Sequence, residues 1–275
     1  MITTTEPGHG RTSIRVMTYN ILNGGERREN HIQEVIQAAR PDVVVLQEVF
    51  TGDFLRVLAQ SLEMEYFLGT GNAKHKVSLL SRFPIRTPAS HHQAPPIWRN
   101  FIDVVIEYAP QRMFRLLGVH PIPNLGVLWE LWRLWEAQHV IQHYRQYAHS
   151  PLLIAGDFNA IAPGDRIRTD TMPAWLKTIL LLQGNRAYSF SIRAYLAAGL
   201  TDCFRYLHAT EDGFTLPPPC PNTRLDYIFV NSPMKAFLVE CWVVREPRAV
   251  LEASDHYPVM AEFRFDAESS ESQVR

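Results

Sequence analysis

Apolar residues in this chain come in short blocks, and most blocks end abruptly in a polar group. Ile14 to Tyr19 alternates with period two and stops at Asn20, just ahead of the turn-forming Asn23, Gly24 and Gly25. That is the pattern of a strand surfacing at its C-terminal end. Ile32, Val35, Ile36 and Ala39 then recur at helical spacing until Pro41 stops them. Val43 to Leu46 is unbroken and apolar, as in a strand buried on both faces, and it runs into Gln47 and Glu48. Phe54, Leu55 and Leu58 predict a short helix, and residues 66–68, 77–80, 101–108 and 113–119 predict strands. The last of these ends at His120, where Pro121 and Pro123 cut it off. A long helix is predicted from Leu128 to about Tyr147. It leads into LLIAGDFN, Leu152 to Asn159, an apolar run ending in Gly156, Asp157 and Asn159. One residue separates Asp157 from Asn159, so in extended chain they would point to the same side. Beyond lie two predicted helical pieces between Met172 and Gly199, then strands at 225–230, 237–244 and 257–265. The first of those strands carries Asp226, and Ser254, Asp255 and His256 precede the last.

Strands alternating with helices predict a mixed α/β domain. No internal repeat or linker divides it, so residues 14–265 read as one domain between a polar tail at 1–13 and a frayed, acidic and Ser-rich tail at 266–275. With 275 residues and 46% hydrophobic content the chain can bury a large core. Its 27 basic and 28 acidic side chains give a net charge of -1, which argues mildly against a protein that grips long nucleic acid mainly through phosphate contacts, although a local basic groove fits within a neutral total and the charge leaves the substrate open. Cys203, Cys220 and Cys241 are odd in number and widely spaced, so they read as reduced, buried thiols. The first thirteen residues lack the apolar core of a signal peptide, and no apolar run approaches the roughly 20 residues of a spanning helix. A cytoplasmic location is expected.

The polar residues that begin or end apolar strands form a set with a chemical logic: Asn20, Glu48, His120, Asp157, Asn159, Asp226, Asp255 and His256. Hard oxygen donors such as Glu48, Asn20 and Asp255 suit Mg²⁺ or Mn²⁺, ions that clamp phosphate oxygens. Two imidazoles and the remaining carboxylates can move protons and stabilise charge. Other features read as ordinary structure. His139 and His143 have the spacing of a two-histidine metal site, but Val140 stands where a zinc protease would have Glu, so a solvated or interfacial helix face is expected. Trp129, Trp132 and Trp135 are expected to form a core stripe rather than a membrane-docking face, and His91-His92 a surface loop. No GxSxG elbow or GxxxxGK loop is present. The apolar stretch Met172 to Tyr195 is expected to be a helix packed on the sheet, with an apolar wall for a lipid or nucleoside group as the functional alternative.

These motifs resemble the endonuclease/exonuclease/phosphatase family, the DNase I-like metal-dependent phosphoesterases. The resemblance rests on TYNIL (Thr18 to Leu22), DVVVLQEV (Asp42 to Val49), LLSRFPI (Leu79 to Ile85), GVHP (Gly118 to Pro121), GDFN, RLDYIFV (Arg224 to Val230) and SDHYPV (Ser254 to Val259), all in the family's order. It implies a four-layer α/β sandwich, two facing mixed β-sheets flanked by helices. It also implies in-line hydrolysis of a phosphoester by an activated water. By the same resemblance Glu48 is the principal metal ligand, with Asn20 and Asp255 in or beside the metal shell, and Mg²⁺ (or Mn²⁺) is the cofactor. Asp157 orients or deprotonates the water, Asn159 holds a phosphate oxygen and fixes Asp157, Asp226 pairs with His256, and His120 serves the leaving-group side. A phosphodiester of nucleic acid, a nucleotide or a phospholipid-like diester is the implied substrate. A phosphomonoesterase, or a non-catalytic binding protein that kept the fold, is the alternative, and no stable protein partner is evident. The chain departs from the pattern at Val119, where many members have threonine. It also lacks a match to the tyrosine and asparagine that repair endonucleases place near an abasic site, which weighs against a repair role.

Overall fold

Two strand-helix-strand units set up the architecture. β1 (Thr12–Asn20) and β2 (Val43–Val49) run parallel, joined through helix α1 (Glu29–Ala39). β7 (Arg112–Val119) and β8 (Leu152–Asp157) also run parallel, joined through the long helix α3 (Val127–Tyr144). Parallel neighbours require a crossover, so within each pair both C-terminal ends come to one edge. The computed structural model describes residues 12–70, 74–91, 100–184 and 187–265. The remaining strands are β3 (Glu65–Leu68), β4 (Lys76–Ser81), β5 (Ile85–His91), β6 (Phe101–Ala109), β9 (Thr201–Asp202), β10 (Asp226–Val230), β11 (Leu238–Val243) and β12 (Val259–Phe265). They complete two six-stranded sheets, ordered β11-β12-β1-β2-β4-β3 and β5-β6-β7-β8-β10-β9.

The sheets face one another across a core that includes Val16, Val43, Leu79, Val104, Leu116, Ala155, Ile228 and Phe263. On the outside of the first sheet, Ile32 and Val35 of α1 and Leu55 and Leu58 of α2 (Gly52–Leu62) pack on Met17, Val44 and Leu46. On the second, Val140 and Ile141 of α3 and Tyr195 of α5 (Phe190–Ala197) pack on Leu117, Ile154 and Phe229. This is the expected four-layer α/β sandwich, two facing mixed β-sheets flanked by helices. Gly156 is required by close approach, since a Cβ there would lie 2.0 Å from the Val119 carbonyl oxygen.

Several sequence expectations are corrected. β1 begins at Thr12, and β5, whose Pro88 and polar residues hide its period, is a strand; it can hold a proline because it lies at the sheet edge. His91 therefore ends a strand; His92 and both expected tails up to residue 11 and from 266 fall outside the described residues. Cys203 and Cys241 are buried, but Cys220 is exposed; all three are free. The tryptophans of α3 are not a core stripe. Trp129 is 38% exposed, whereas Glu130, Arg133 and Glu136 are only 1%, 3% and 3% exposed.

That inversion has a cause. The proline-rich segment after β7 has no ladder partner for its backbone, so the buried face of α3 supplies one. Glu136 Oε2 accepts from Ile122 N–H at 3.0 Å. Arg133 donates to the carbonyls of Ile122 and Asn124 at 3.1 and 2.8 Å, and to Glu130 Oε2 at 2.8 Å. Glu130 Oε1 in turn accepts from the Ser191 N–H and hydroxyl, both at 2.8 Å, and so satisfies a free donor in the first turn of α5. In the first half of α3 charge faces inward to hold the loop that carries His120, and the tryptophans are left at the surface, while Ala137, Val140 and Ile141 further along stay in the core. Among the described residues no helix is long and apolar enough to cross a membrane.

Candidate active site

All eight strand-end residues meet in one network at the edge where β1, β2, β7 and β8 terminate. Asn20 closes β1, and its amide donates to Asp157 Oδ2 at 2.9 Å and toward Glu48 Oε1 at 3.3 Å. Glu48 sits near the end of β2 at a register shift against β4 with a left-handed φ of 65°. For a bulky non-glycine residue that conformation is strained, and here it releases the carboxylate from the ladder. Glu48 Oε2 then accepts from the Asn23 N–H at 2.6 Å. His120 Nε2 lies 3.9 Å from Glu48 Oε1 and 3.6 Å from Asp157 Oδ2.

Asp157 ends β8 and pairs in register with Asp226, the first residue of the antiparallel β10. Strand pairing thus places two carboxylates side by side. Asn159 is not in extended chain. Its φ is 50°, and this turn brings its N–H to Asp157 Oδ1 at 2.9 Å while its side-chain amide donates to the Pro121 carbonyl at 3.1 Å. His256 stands before β12, and its Nδ1 pairs with Asp226 Oδ2 at 2.8 Å. Its other nitrogen faces Asp157 Oδ2 at 3.8 Å and Asp255 Oδ1 at 4.0 Å.

Burial and crowding set the charges. Asp157 is 1% exposed. Burial, with Asp226 beside it, pushes its carboxyl up to about 7, although His256, the Asn20 amide and the Asn159 N–H pull the other way. For His256, burial alone would lower the imidazole, but Asp226 and Asp157 outweigh it and push it up to about 10. Asp226 Oδ1 is buried with no hydrogen-bond partner. An orphaned carboxylate oxygen is costly unless something positive meets it. Asp157, Asp226 and His256 present ligand atoms within 4.8 Å of one another. With Glu48 and Asp255 alongside, the oxygen-rich donor set fits a hard divalent cation.

Two participants were not anticipated from sequence. His75 lies 3.8 Å from Glu48 Oε2 and 3.4 Å from Asn23 Oδ1; it immediately precedes β4, but Lys76 separates it from the apolar run that marks the strand in the sequence. Next to the polar cluster is a cavity of about 250 Å³, lined by Asn159 and by apolar residues including Ile161, Met172, Leu176, Leu180 and Tyr188. Its outer wall is α4 (Ala174–Leu182), with Trp175 63% exposed. Part of the stretch Met172 to Tyr195 therefore lines this cavity.

Comparison with known proteins bears on this geometry. A family model described as Endonuclease/Exonuclease/phosphatase family matches residues 17–256. The chain is 26% identical over 285 residues to the exodeoxyribonuclease III of Haemophilus influenzae, covering 91% of this chain and 100% of the relative. Its fold is similar to that of an AP endonuclease from Archaeoglobus fulgidus, with a TM-score of 0.73 and 17% identity over 91% of this chain and 99% of the other. It is also similar to the 3′ phosphatase NExo from Neisseria, solved bound to a product DNA hairpin, with a TM-score of 0.72 and 23% identity over 92% and 100%.

Proposed function

Because the chain belongs to the endonuclease/exonuclease/phosphatase family and is a phosphoester hydrolase, we propose that it hydrolyses phosphodiesters of nucleic acid, by in-line attack of water and with a divalent ion, Mg²⁺ or Mn²⁺. The observation that carries the reading is the buried Asp226–His256–Asp157 arrangement. Asp226 accepts from His256 Nδ1 and keeps the ring protonated, so Nε2 faces the site as a cationic donor for a phosphate oxygen. Asp157, raised toward neutrality, accepts a proton from the attacking water. The Asn159 N–H holds its Oδ1 in place, and the Asn159 side chain, tied to Pro121, stands where it can meet a phosphate oxygen. His120 serves the leaving-group oxygen. Glu48 would hold the metal ion with Asn20 and Asp255 beside it, and the ion would supply neutralisation of charge on the phosphate.

Nucleic acid as substrate class is supported by the likeness along the full length of the exodeoxyribonuclease III relative. The apolar cavity beside Asn159 suits the sugar or base next to the scissile phosphate better than it suits more backbone charge. The test is cleavage of end-labelled single-stranded and duplex oligodeoxynucleotides, with 3′-hydroxyl or 3′-phosphate ends, in Mg²⁺ or chelator. Mg²⁺-dependent shortening supports the reading. Release of a terminal phosphate alone would move it to a phosphomonoesterase. Hydrolysis of an aryl phosphodiester with no oligonucleotide cleaved would overturn nucleic acid as the substrate while leaving the hydrolase intact.

A further inference from the structure

A second histidine and carboxylate cluster lies outside the hydrolytic site, on the outer face of the second sheet. His91 closes the edge strand β5, Asp103 lies on β6, and His143 lies near the C-terminal end of α3. His143 Nε2 is 2.7 Å from Asp103 Oδ2 and His91 Nε2 is 3.7 Å from the same oxygen. All three ligand atoms fall within 4.8 Å of one another. The ring centroids of His91 and His143 are 4.2 Å apart, and Phe101 stacks on His91 at 4.8 Å and lies 5.3 Å from His143. We propose that these three side chains form a second metal site, selective for a borderline ion of the Zn²⁺ or Co²⁺ type over Mg²⁺.

Three observations support it. Two imidazoles with one carboxylate are a nitrogen-rich set, favoured by first-row transition ions and poor for Mg²⁺. Tetrahedral coordination at zinc-like bond lengths places ligand atoms about 3.3 Å apart, and two of the separations, 2.7 and 3.7 Å, already bracket that value. His91 Nε2 is buried and has no hydrogen-bond partner, so this atom at the cluster is unsatisfied.

Arg115 is the competing feature. Its Nη1 lies 2.6 and 2.7 Å from the two oxygens of Asp103, and its guanidinium covers the Tyr147 ring at 3.6 Å. Ligating carboxylates are commonly held from behind in this way, and the guanidinium fixes Asp103 against both histidines. Its charge also opposes an incoming cation, so the site is weaker than the same ligands without arginine. The ordinary alternative is a buried ion pair that pins β6 to β7 and α3, with His91 only packing on Phe101.

The experiment is a Co²⁺ titration of the full chain in saturating Mg²⁺, read by visible ligand-field absorption, with the histidine variants and Asp157→Ala run in parallel. The expected result is one equivalent of absorbing Co²⁺ in the wild type and in Asp157→Ala. In His143→Ala and in His91→Asn the apparent affinity falls on the order of 100-fold. His91 is half-exposed at a strand end, so His91→Asn keeps the test valid if His143→Ala does not fold. No absorbing Co²⁺ in the wild type, or a signal lost with Asp157→Ala and kept in His91→Asn, would overturn the proposal.

Discussion

The molecule holds two clusters of histidine and carboxylate, and they balance their charge in opposite ways. In the proposed hydrolytic cluster Glu48, Asp157, Asp226 and Asp255 surround three imidazoles, His75, His120 and His256, and among the described contacts no Lys or Arg pairs with any of these carboxylates. Asp157 responds by rising toward neutrality and His256 by staying charged well above its usual range. In the second cluster one carboxylate, Asp103, meets two imidazoles and a guanidinium. Burial would raise that carboxyl, but the His143 and Arg115 hydrogen bonds outweigh it and hold Asp103 below its ordinary value. Residue types alone do not make a site reactive. The first cluster carries uncompensated negative charge that a hard cation and a phosphate can resolve, whereas the second is already close to balanced and is suited to fastening strands or holding a nitrogen-preferring ion.

The comparison can be broken most forcefully at Asp157. Asp157→Ala is expected to lower phosphodiester turnover by about 10⁴-fold, the upper range for a general base, measured as kcat with Mg²⁺ saturating. Asp103→Ala should do the reverse. It strands the Arg115 guanidinium, which is 19% exposed, and should cost about 3–5 kcal/mol in urea unfolding, while the rate per folded molecule is retained. If Asp103→Ala removed activity instead, the two clusters would not be separate.

Asp226→Asn sharpens the account of charge. Without that partner the His256 pKa falls from about 10 toward or below the ordinary imidazole value of 6.5, and turnover above pH 8 should drop on the order of 10²-fold. The pH–rate profile checks this, because the alkaline limb should move down while the rate near pH 6 changes least.

A smaller effect follows from linkage. A carboxyl raised in the folded state favours folding when protonated. The contribution from Asp157 is therefore complete below pH 3.8 and lost as pH rises through about 7. His256 is also raised, so its contribution is complete below pH 6.5 and lost only as pH passes about 10. Metal-free Asp157→Asn should then melt higher than the wild type near pH 8, by about 5 °C or roughly 2 kcal/mol in a chain of this size, with the gap narrower at pH 5 and closing only below pH 3.8. Calorimetry at both pH values checks the sign.

Most of the proposed hydrolytic cluster was legible because it is built on strand ends. Apolar runs stopping at Asn20, Glu48, His120 and Asp157 are visible locally, and parallel pairing brings such ends together. The left-handed turns at Glu48 and Asn159 were not legible, since neither is a glycine and their strain is held by tertiary contacts. On α3 the tryptophans and the Glu130-Arg133-Glu136 set share a spacing of three, one residue out of phase. Periodicity alone cannot say which set faces inward. The deciding fact is the need of the 120–126 backbone for partners, which lies in a different segment. The second cluster was invisible for a related reason. His91, Asp103 and His143 come from an irregular edge strand, a strand interior and a helix end; the sequence pairs His143 with His139 and His91 with His92, whereas the fold brings both to Asp103.

The most direct measurement is the Mg²⁺ dependence of aryl phosphodiester hydrolysis, in chelator and after Mg²⁺ is restored, for the wild type and Glu48→Gln. The predicted result is no turnover in chelator and full recovery on adding Mg²⁺. Glu48→Gln should require at least about tenfold more Mg²⁺, as expected for loss of a charged ligand. Full turnover in chelator, or an unchanged Mg²⁺ requirement in Glu48→Gln, would contradict metal-dependent hydrolysis at this cluster.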